Sequence, residues 1–421
     1  MLRCISLLCA VVIAGTAQPE ERQNPENPAK PPIGRWQALP ANAPGNVENM
    51  PLSPDEIAAL EAIGYLSTTS LTESAGAVTV HEDEQAMPGY NLVMSGHAFE
   101  TYLMDMEGEI VHRWQFNYHD RFSQREVGFQ NMWYMAQLRP DGTLYVLQDG
   151  FGVFGLSSDS EFLWDIPCYA HHDFEVLDDN TLYVIHARHR IVPDFHETER
   201  VVDDCIMKVG ADHTPARDVS ILDALRKGQQ TETLEIARAW LDEHDNDVLH
   251  LNSVEYIDRD YAHPAFKEGN LLISARSPHT VMVLDFEAGE IVWTLRGDFR
   301  IQHSASVLEN GNILLFDNQG EKPKSVLREI DPHTGENVWT YRGTEAHPFY
   351  SAWNGRCHRL ANGNTLVAES TGGRAFEVTR DKELVWEYWN PHRGGEDKQF
   401  IARIFELVRV PVSSVADWLP E

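Results

Sequence analysis

Three histidines recur in one register. His172, His250 and His303 each stand four residues before a valine (Val176, Val254 and Val307), at the start of an alternating apolar run. The matching place in the preceding repeat holds Trp133, and in the following one Gly355, with His358 three places further on. A second set, His186, Arg276, Asn318 and Ser370, lies six residues after a turn asparagine, at the end of a β-rich stretch. Asn252 follows His250 by two places, Asp173 follows His172, and Gln302 precedes His303. A neutral imidazole is a nucleophile, a second one moves a proton, and a planar guanidinium clamps an oxyanion. Together they suit transfer of an anionic sulfuryl or phosphoryl group. The sequence has no GxSxG elbow, P-loop or HExxH, and no carboxylate pair stands out for glycoside hydrolysis.

The elements that must position these residues repeat along the chain. An acidic residue followed by apolar residues and Trp recurs at Glu161–Trp164, Glu290–Trp293, Glu336–Trp339 and Glu383–Trp386, with a looser copy at Glu109–Trp114. Turn residues followed by alternation precede each Trp, as in DGTLYVLQD (141–149) and GNILLFDNQ (311–319). A period of about 40–50 residues with four short strands is that of a propeller blade. Six blades are expected, starting near Tyr90, Trp133, His172, His250, His303 and His358. The first lacks an innermost strand, and IARIFELVRV (401–410) is expected to supply it and close the ring. First strands line the central channel, so His172, His250 and His303 should meet at its mouth.

The expected class is all-β: a six-bladed propeller over 87–412, with a helical insertion at about 191–249 and a tail at 413–421. Within the insertion, 220–247 has helical spacing and is either a lid over the channel or a cover for outer hydrophobic surface. Residues 1–17 read as a signal peptide, with Arg3, an apolar run from Cys4 to Ala14, and the small residues Gly15-Thr16-Ala17. They imply export to a periplasm or the exterior. A Pro-rich tether over 18–52 and a short helix within 53–86, at 53–66, are expected next. No segment is long and apolar enough to span a bilayer as a helix. The formal charge of −31 excludes nucleic acid and anionic membrane surfaces as natural partners. Cys168, Cys205 and Cys357 would remain after cleavage, with no CxxC spacing for a zinc-thiolate site.

The segments HHDFEVLDDNTLYV (171–184), HLNSVEY (250–256), LLISAR (271–276) and QHSASVLENGNILLFDN (302–318), in that order, resemble the arylsulfotransferase family. The resemblance covers about 90–410. It implies an exported six-bladed propeller that moves a sulfuryl group from an aryl sulfate to a phenol through a sulfated histidine. Neither cofactor, metal nor nucleotide sulfate donor is implied. Carried over, His303 is the nucleophile, and His172, His250 and Arg276 are its catalytic partners. Asn252, Asn318 and His358 are expected to bind substrate. The chain is shorter than the family's well-studied bacterial members and lacks room for their N-terminal β-domain. Two other readings stay open: a propeller scaffold without catalysis, and an oxygenase holding iron by His172, His250, His303 and His358.

Overall fold

The computed structural model describes residues 36–38, 43, 77–118, 133–241, 246–395 and 398–419. The expected signal peptide and the helix at 53–66 lie outside the described residues, as does the tether apart from 36–38 and 43. The short runs of alternating residues between turns form six antiparallel sheets around one axis. The innermost strands of blades two to six are Trp133–Leu138, Ala170–Val176, Leu251–Tyr256, His303–Val307 and Arg356–Arg359. Blade one takes its innermost strand from the C-terminal end: Ile404–Val410 pairs with Tyr90–Ser95. The ring is therefore closed by Ile404–Val410, which covers the edge that Tyr90–Ser95 would otherwise expose.

Core packing runs between blades. Separate apolar clusters fill the layers between blades three and four, four and five, five and six, and six and one, and a larger cluster joins blades one to three. The repeated Trp stands on the fourth strand of each blade that carries it and faces into such a layer. Trp164 meets Tyr145 edge-on at 4.7 Å. Trp339 donates its Nε1–H to the Arg380 carbonyl at 2.9 Å and lies under the Arg359 guanidinium.

Blade six carries a fifth strand, Val78–His81, on its outer edge. Trp36–Ala38, inside the stretch expected to be tether, pairs with Phe400–Ala402, which in turn pairs with Arg393–Gly394. The insertion contributes two short helices, α1 (Ile221–Lys227) and α2 (Thr231–Arg238). Ser220 caps α1 by accepting from the Asp223 amide at 3.2 Å. Ile221, Leu222, Ala224 and Leu225 bury into the layer between blades three and four. Gly228, just past α1, approaches blade four so closely that a Cβ there would lie 2.0 Å from the Ile291 carbonyl oxygen. The buried residues of both helices pack on apolar surface between blades three and four. Among the described residues no helix is long and apolar enough to cross a membrane.

Candidate active site

The inner strands of blades three, four and five are kinked where the histidines sit. Pairing slips between Ala170 and Phe174, between Leu251 and Ser253, and between His303 and Ser306. His172 and His250 themselves take left-handed backbone, with φ of 61° and 51°. In blade five the kink falls on the neighbours, Ile301 at 55° and Ser304 at 51°. Each such residue costs on the order of 1–3 kcal/mol. Bulges of this kind re-aim side chains away from the regular pleat, and here they bring the histidines together. At the corresponding place in blade six stands Gly355, at φ 135°, where a Cβ would strike the Phe316 ring at 2.6 Å.

His303 is buried, and its Nδ1 lies 2.9 Å from the Ile301 carbonyl oxygen and 2.8 Å from Asn318 Oδ1. Asn318 can only present its oxygen, because its Nδ2 donates to the Ser351 and Asn354 carbonyls at 2.9 and 2.6 Å. Both neighbours of Nδ1 are acceptors, so the ring proton sits on Nδ1 and Nε2 keeps its lone pair. Burial above all, then the charges of Arg276, His250 and Arg356, push this imidazole down to about 3 against the lift from Asn318, so it is neutral.

Arg276 is 9% exposed, and its Nε is buried without a partner. Its guanidinium makes no ion pair among the described residues, although Asp247, Tyr134 and Asp204 act on it at longer range. Asn252 Oδ1 and Gln302 Oε1 are likewise buried and unpaired. Their amide nitrogens are used for structure: Asn252 donates to the Gln302 carbonyl at 2.6 Å, and Gln302 to the Ala275 carbonyl at 2.9 Å. Buried polar atoms left without partners are costly and uncommon. Of these, the Arg276 N–H is an unused cationic donor that suits an anion, and the two amide oxygens are unused acceptors.

His172 and His250 meet Nε2 to Nε2 at 3.1 Å. His250 Nδ1 bonds to Asp247, and His172 Nδ1 lies 3.0 Å from Nδ1 of His171, whose Nε2 lies 3.1 Å from Asp204 Oδ1. Tyr134 covers His172, with ring centres 5.0 Å apart. Burial, then the neighbouring His250, His171, His303 and Arg276, hold His172 well below the ordinary imidazole range. Arg356 braces it from below, donating to the His172 carbonyl at 3.1 Å and to Asp173 at 2.8 Å.

The remaining expected residues lie elsewhere. His358 points down the channel and bonds Glu406 at 2.8 Å. It lines a cavity of about 350 Å³ together with Asp173, Glu175, Glu255 and Arg356. Three residues out of register put it on a lower turn of the inner wall. A second cavity, of about 520 Å³, lies beyond it toward the C-terminal ends of the inner strands. His186 bonds Asp218 at 2.9 Å. The ring nitrogens of His172, His250, His303 and His358 do not gather round one point, so an iron held by these four does not fit the geometry. Two other groups could offer three metal ligands each, His97, Glu100 and His392, and His186, Cys205 and Asp218. In the first, Glu100 is already taken by Arg113 and Gln115.

Sequence reasoning missed His171, Asp204 and Asp247. His171 was visible in the His-His-Asp triplet. Asp247 stands three residues before His250, on the return from the insertion, while Asp204 comes from the third strand of blade three and carried no local signal.

No functionally curated protein matches the chain. Among solved structures, a protein of unknown function from Bacteroides caccae aligns over 77% of this chain and 99% of its own, with 12% identity and a TM-score of 0.50. A streptogramin B lyase aligns over 80% of this chain and 95% of its own, with 10% identity and a TM-score of 0.43. The Dos1 propeller aligns over 82% and 91%, with 9% identity and a TM-score of 0.40. At such identities the likeness is one of fold alone. The model of the arylsulfotransferase (ASST) family matches residues 154–391, from the third strand of blade two to the end of blade six, and includes all three histidines and Arg276. On that match, the chain belongs to the arylsulfotransferase family.

Proposed function

We propose that this protein moves a sulfuryl group from an aryl sulfate to a phenol through a sulfohistidine on His303, without a nucleotide sulfate donor. The observation that carries the reading is the commitment of His303 Nδ1–H to Ile301 and Asn318, which leaves Nε2 as a neutral nucleophile. Family membership supports a sulfotransferase-type activity.

In the first half-reaction the Nε2 lone pair forms an N–S bond as the S–O bond to the aryl group breaks. Charge on the sulfuryl oxygens is met by Arg276, whose fork of N–H donors suits an anion of this geometry. The leaving aryloxide takes a proton from the His172–His250 pair. In the second half-reaction an acceptor phenol returns a proton to that pair and attacks sulfur, and the N–S electron pair goes back to Nε2. Asn252, with its unpaired Oδ1, is suited to accept from the phenolic hydroxyl. We place the protein outside the cytoplasm on its first 17 residues, which N-terminal sequencing of the mature chain tests.

Two-substrate kinetics test the order of events. A double-displacement pattern, with a burst of phenol release in the absence of acceptor, is the expected result. Release that requires the acceptor to be bound at the same time contradicts a covalent intermediate.

A further inference from the structure

Five side chains at the mouth form one uninterrupted hydrogen-bonded chain: Asp247, His250, His172, His171 and Asp204. It has four contacts, and every one joins a nitrogen to a nitrogen or to a carboxylate oxygen. Each contact needs one proton, because two facing lone pairs repel. Three neutral imidazoles carry only three protons, so the complete chain holds four, and one of its rings is cationic.

Resting on the proposed sulfuryl transfer, we infer that these five residues are a single proton relay in which His171, Asp204 and Asp247 are positioning residues that load the His172–His250 pair with the proton it gives to the leaving phenol. The proton between the two Nε2 atoms is the one to leave, since two of the other contacts end on carboxylates and the third ties the pair to His171. When it moves to the departing oxygen, an O–H bond forms, an N–H bond breaks, and the relay falls to three protons. Two facing Nε2 lone pairs remain. That repulsion makes the pair a base for the incoming phenol, whose proton restores the fourth. The relay is thus acid in one half-reaction and base in the other, with no other proton source.

The surroundings agree. Burial lowers His171, but the hydrogen bond and charge of Asp204 outweigh it and raise the imidazole above its ordinary value. Asp247 would be raised by burial, yet the charge and hydrogen bond of His250, with His171 and Arg276, hold it down to about 2. Carboxylates stand at both ends of the chain. Asp204 is fixed in turn by the Leu251 amide, which donates to its second oxygen at 2.9 Å.

The test compares two donors, 4-nitrophenyl sulfate, whose phenol is acidic, and phenyl sulfate, whose phenol is not, in wild type, Asp247→Asn and His171→Asn. General acid catalysis is worth about 10²–10⁴-fold when the leaving group needs it. The variants should lose at least about 100-fold in kcat/KM on phenyl sulfate and no more than about fivefold on 4-nitrophenyl sulfate. Equal losses on both donors, or none on either, with sulfohistidine still formed by wild type, overturn the relay and leave the transfer reaction standing. Absence of sulfohistidine in wild type overturns the transfer reaction itself. Histidine ¹⁵N NMR supplies a readout independent of activity: a far-downfield shared N–H at the His172–His250 contact is expected in wild type and lost in Asp247→Asn. A spectrum unchanged by that substitution overturns the relay.

Discussion

Replacing Arg276 by glutamine should separate catalysis from stability. The guanidinium is 9% exposed and forms no ion pair among the described residues, and its Nε is buried without a partner. Breaking a buried ion pair costs about 3–5 kcal/mol because a charge is left behind unpaired. Here no partner is orphaned, and an uncompensated buried cation is removed. Folding stability should therefore stay within about 1 kcal/mol of wild type or rise. Catalysis should behave in the opposite way. Losing one preorganised donor to a developing oxyanion costs about 2.7–4 kcal/mol, which at about 1.4 kcal/mol per decade is a 10²–10³-fold slower reaction. Arg276 supplies a charge as well as a donor fork, so the upper end is expected, and Arg276→Lys should recover part of it. The assay is single-turnover release of 4-nitrophenol, with chemical denaturation of the same samples. A loss of activity below about fourfold would refute the placement of Arg276 on the transferring oxygens. A fall in stability of about 3 kcal/mol or more would refute its description as an unpaired cation.

The other consequences are equally direct. Asn318→Asp places a carboxylate on His303 Nδ1, raises the imidazole from about 3 toward neutrality, and should bring an acid limb into the pH profile of the first half-reaction where wild type is flat. His303 and His172 are held neutral by burial, so the unfolded chain binds protons that the folded one does not. Their contribution to stability is complete above about pH 6.5 and should fall by up to about 1.4 kcal/mol per unit for each group on acidification, down to about 3 for His303, as seen in denaturation midpoints between pH 7 and 5. Gly355→Ala would drive a Cβ into Phe316 in a backbone region that alanine avoids, and should lose on the order of 1–3 kcal/mol in the same assay. Removing residues from Ile404 onward strips blade one of its inner strand, and should replace cooperative unfolding with a broad transition and exposed apolar surface.

Much of this architecture is legible in the sequence because blades repeat. Turn residues, alternation and an outer-strand Trp recur at a fixed spacing, and each has a local cause: tight hairpins, a pleat with two faces, and an aromatic plug between neighbouring blades. The closing strand was readable for the complementary reason that blade one lacked a partner, although only Ile404–Val410 of the expected 401–410 joins that blade, residues 401 and 402 pairing in a separate small sheet. The histidines were readable because equivalent places in neighbouring blades face one axis. His358 shows the limit of that rule. It belongs to the right strand, but a displacement of three residues lowers it into the channel beside Glu406. The bulges were not legible, since they follow from strain shared between strands. Asp204 and Asp247 were hidden because they reach the mouth from an outer strand and from the end of an insertion. The commitment of Asn318 depends on the Ser351 and Asn354 carbonyls, which no local pattern announces. Val78–His81, four residues on the edge of blade six, has too little apolar pattern to be distinguished from a linker.

The central claim is that His303 carries the sulfuryl group. Wild type and His303→Ala should be mixed with 4-nitrophenyl sulfate, quenched, and analysed by tandem mass spectrometry of the peptide containing Gln302-His303. An addition of about 80 Da on His303 in wild type, absent from the variant and discharged by added phenol, is the predicted result. Release of 4-nitrophenol with the adduct on another residue, or with no adduct at any quench time, would contradict it.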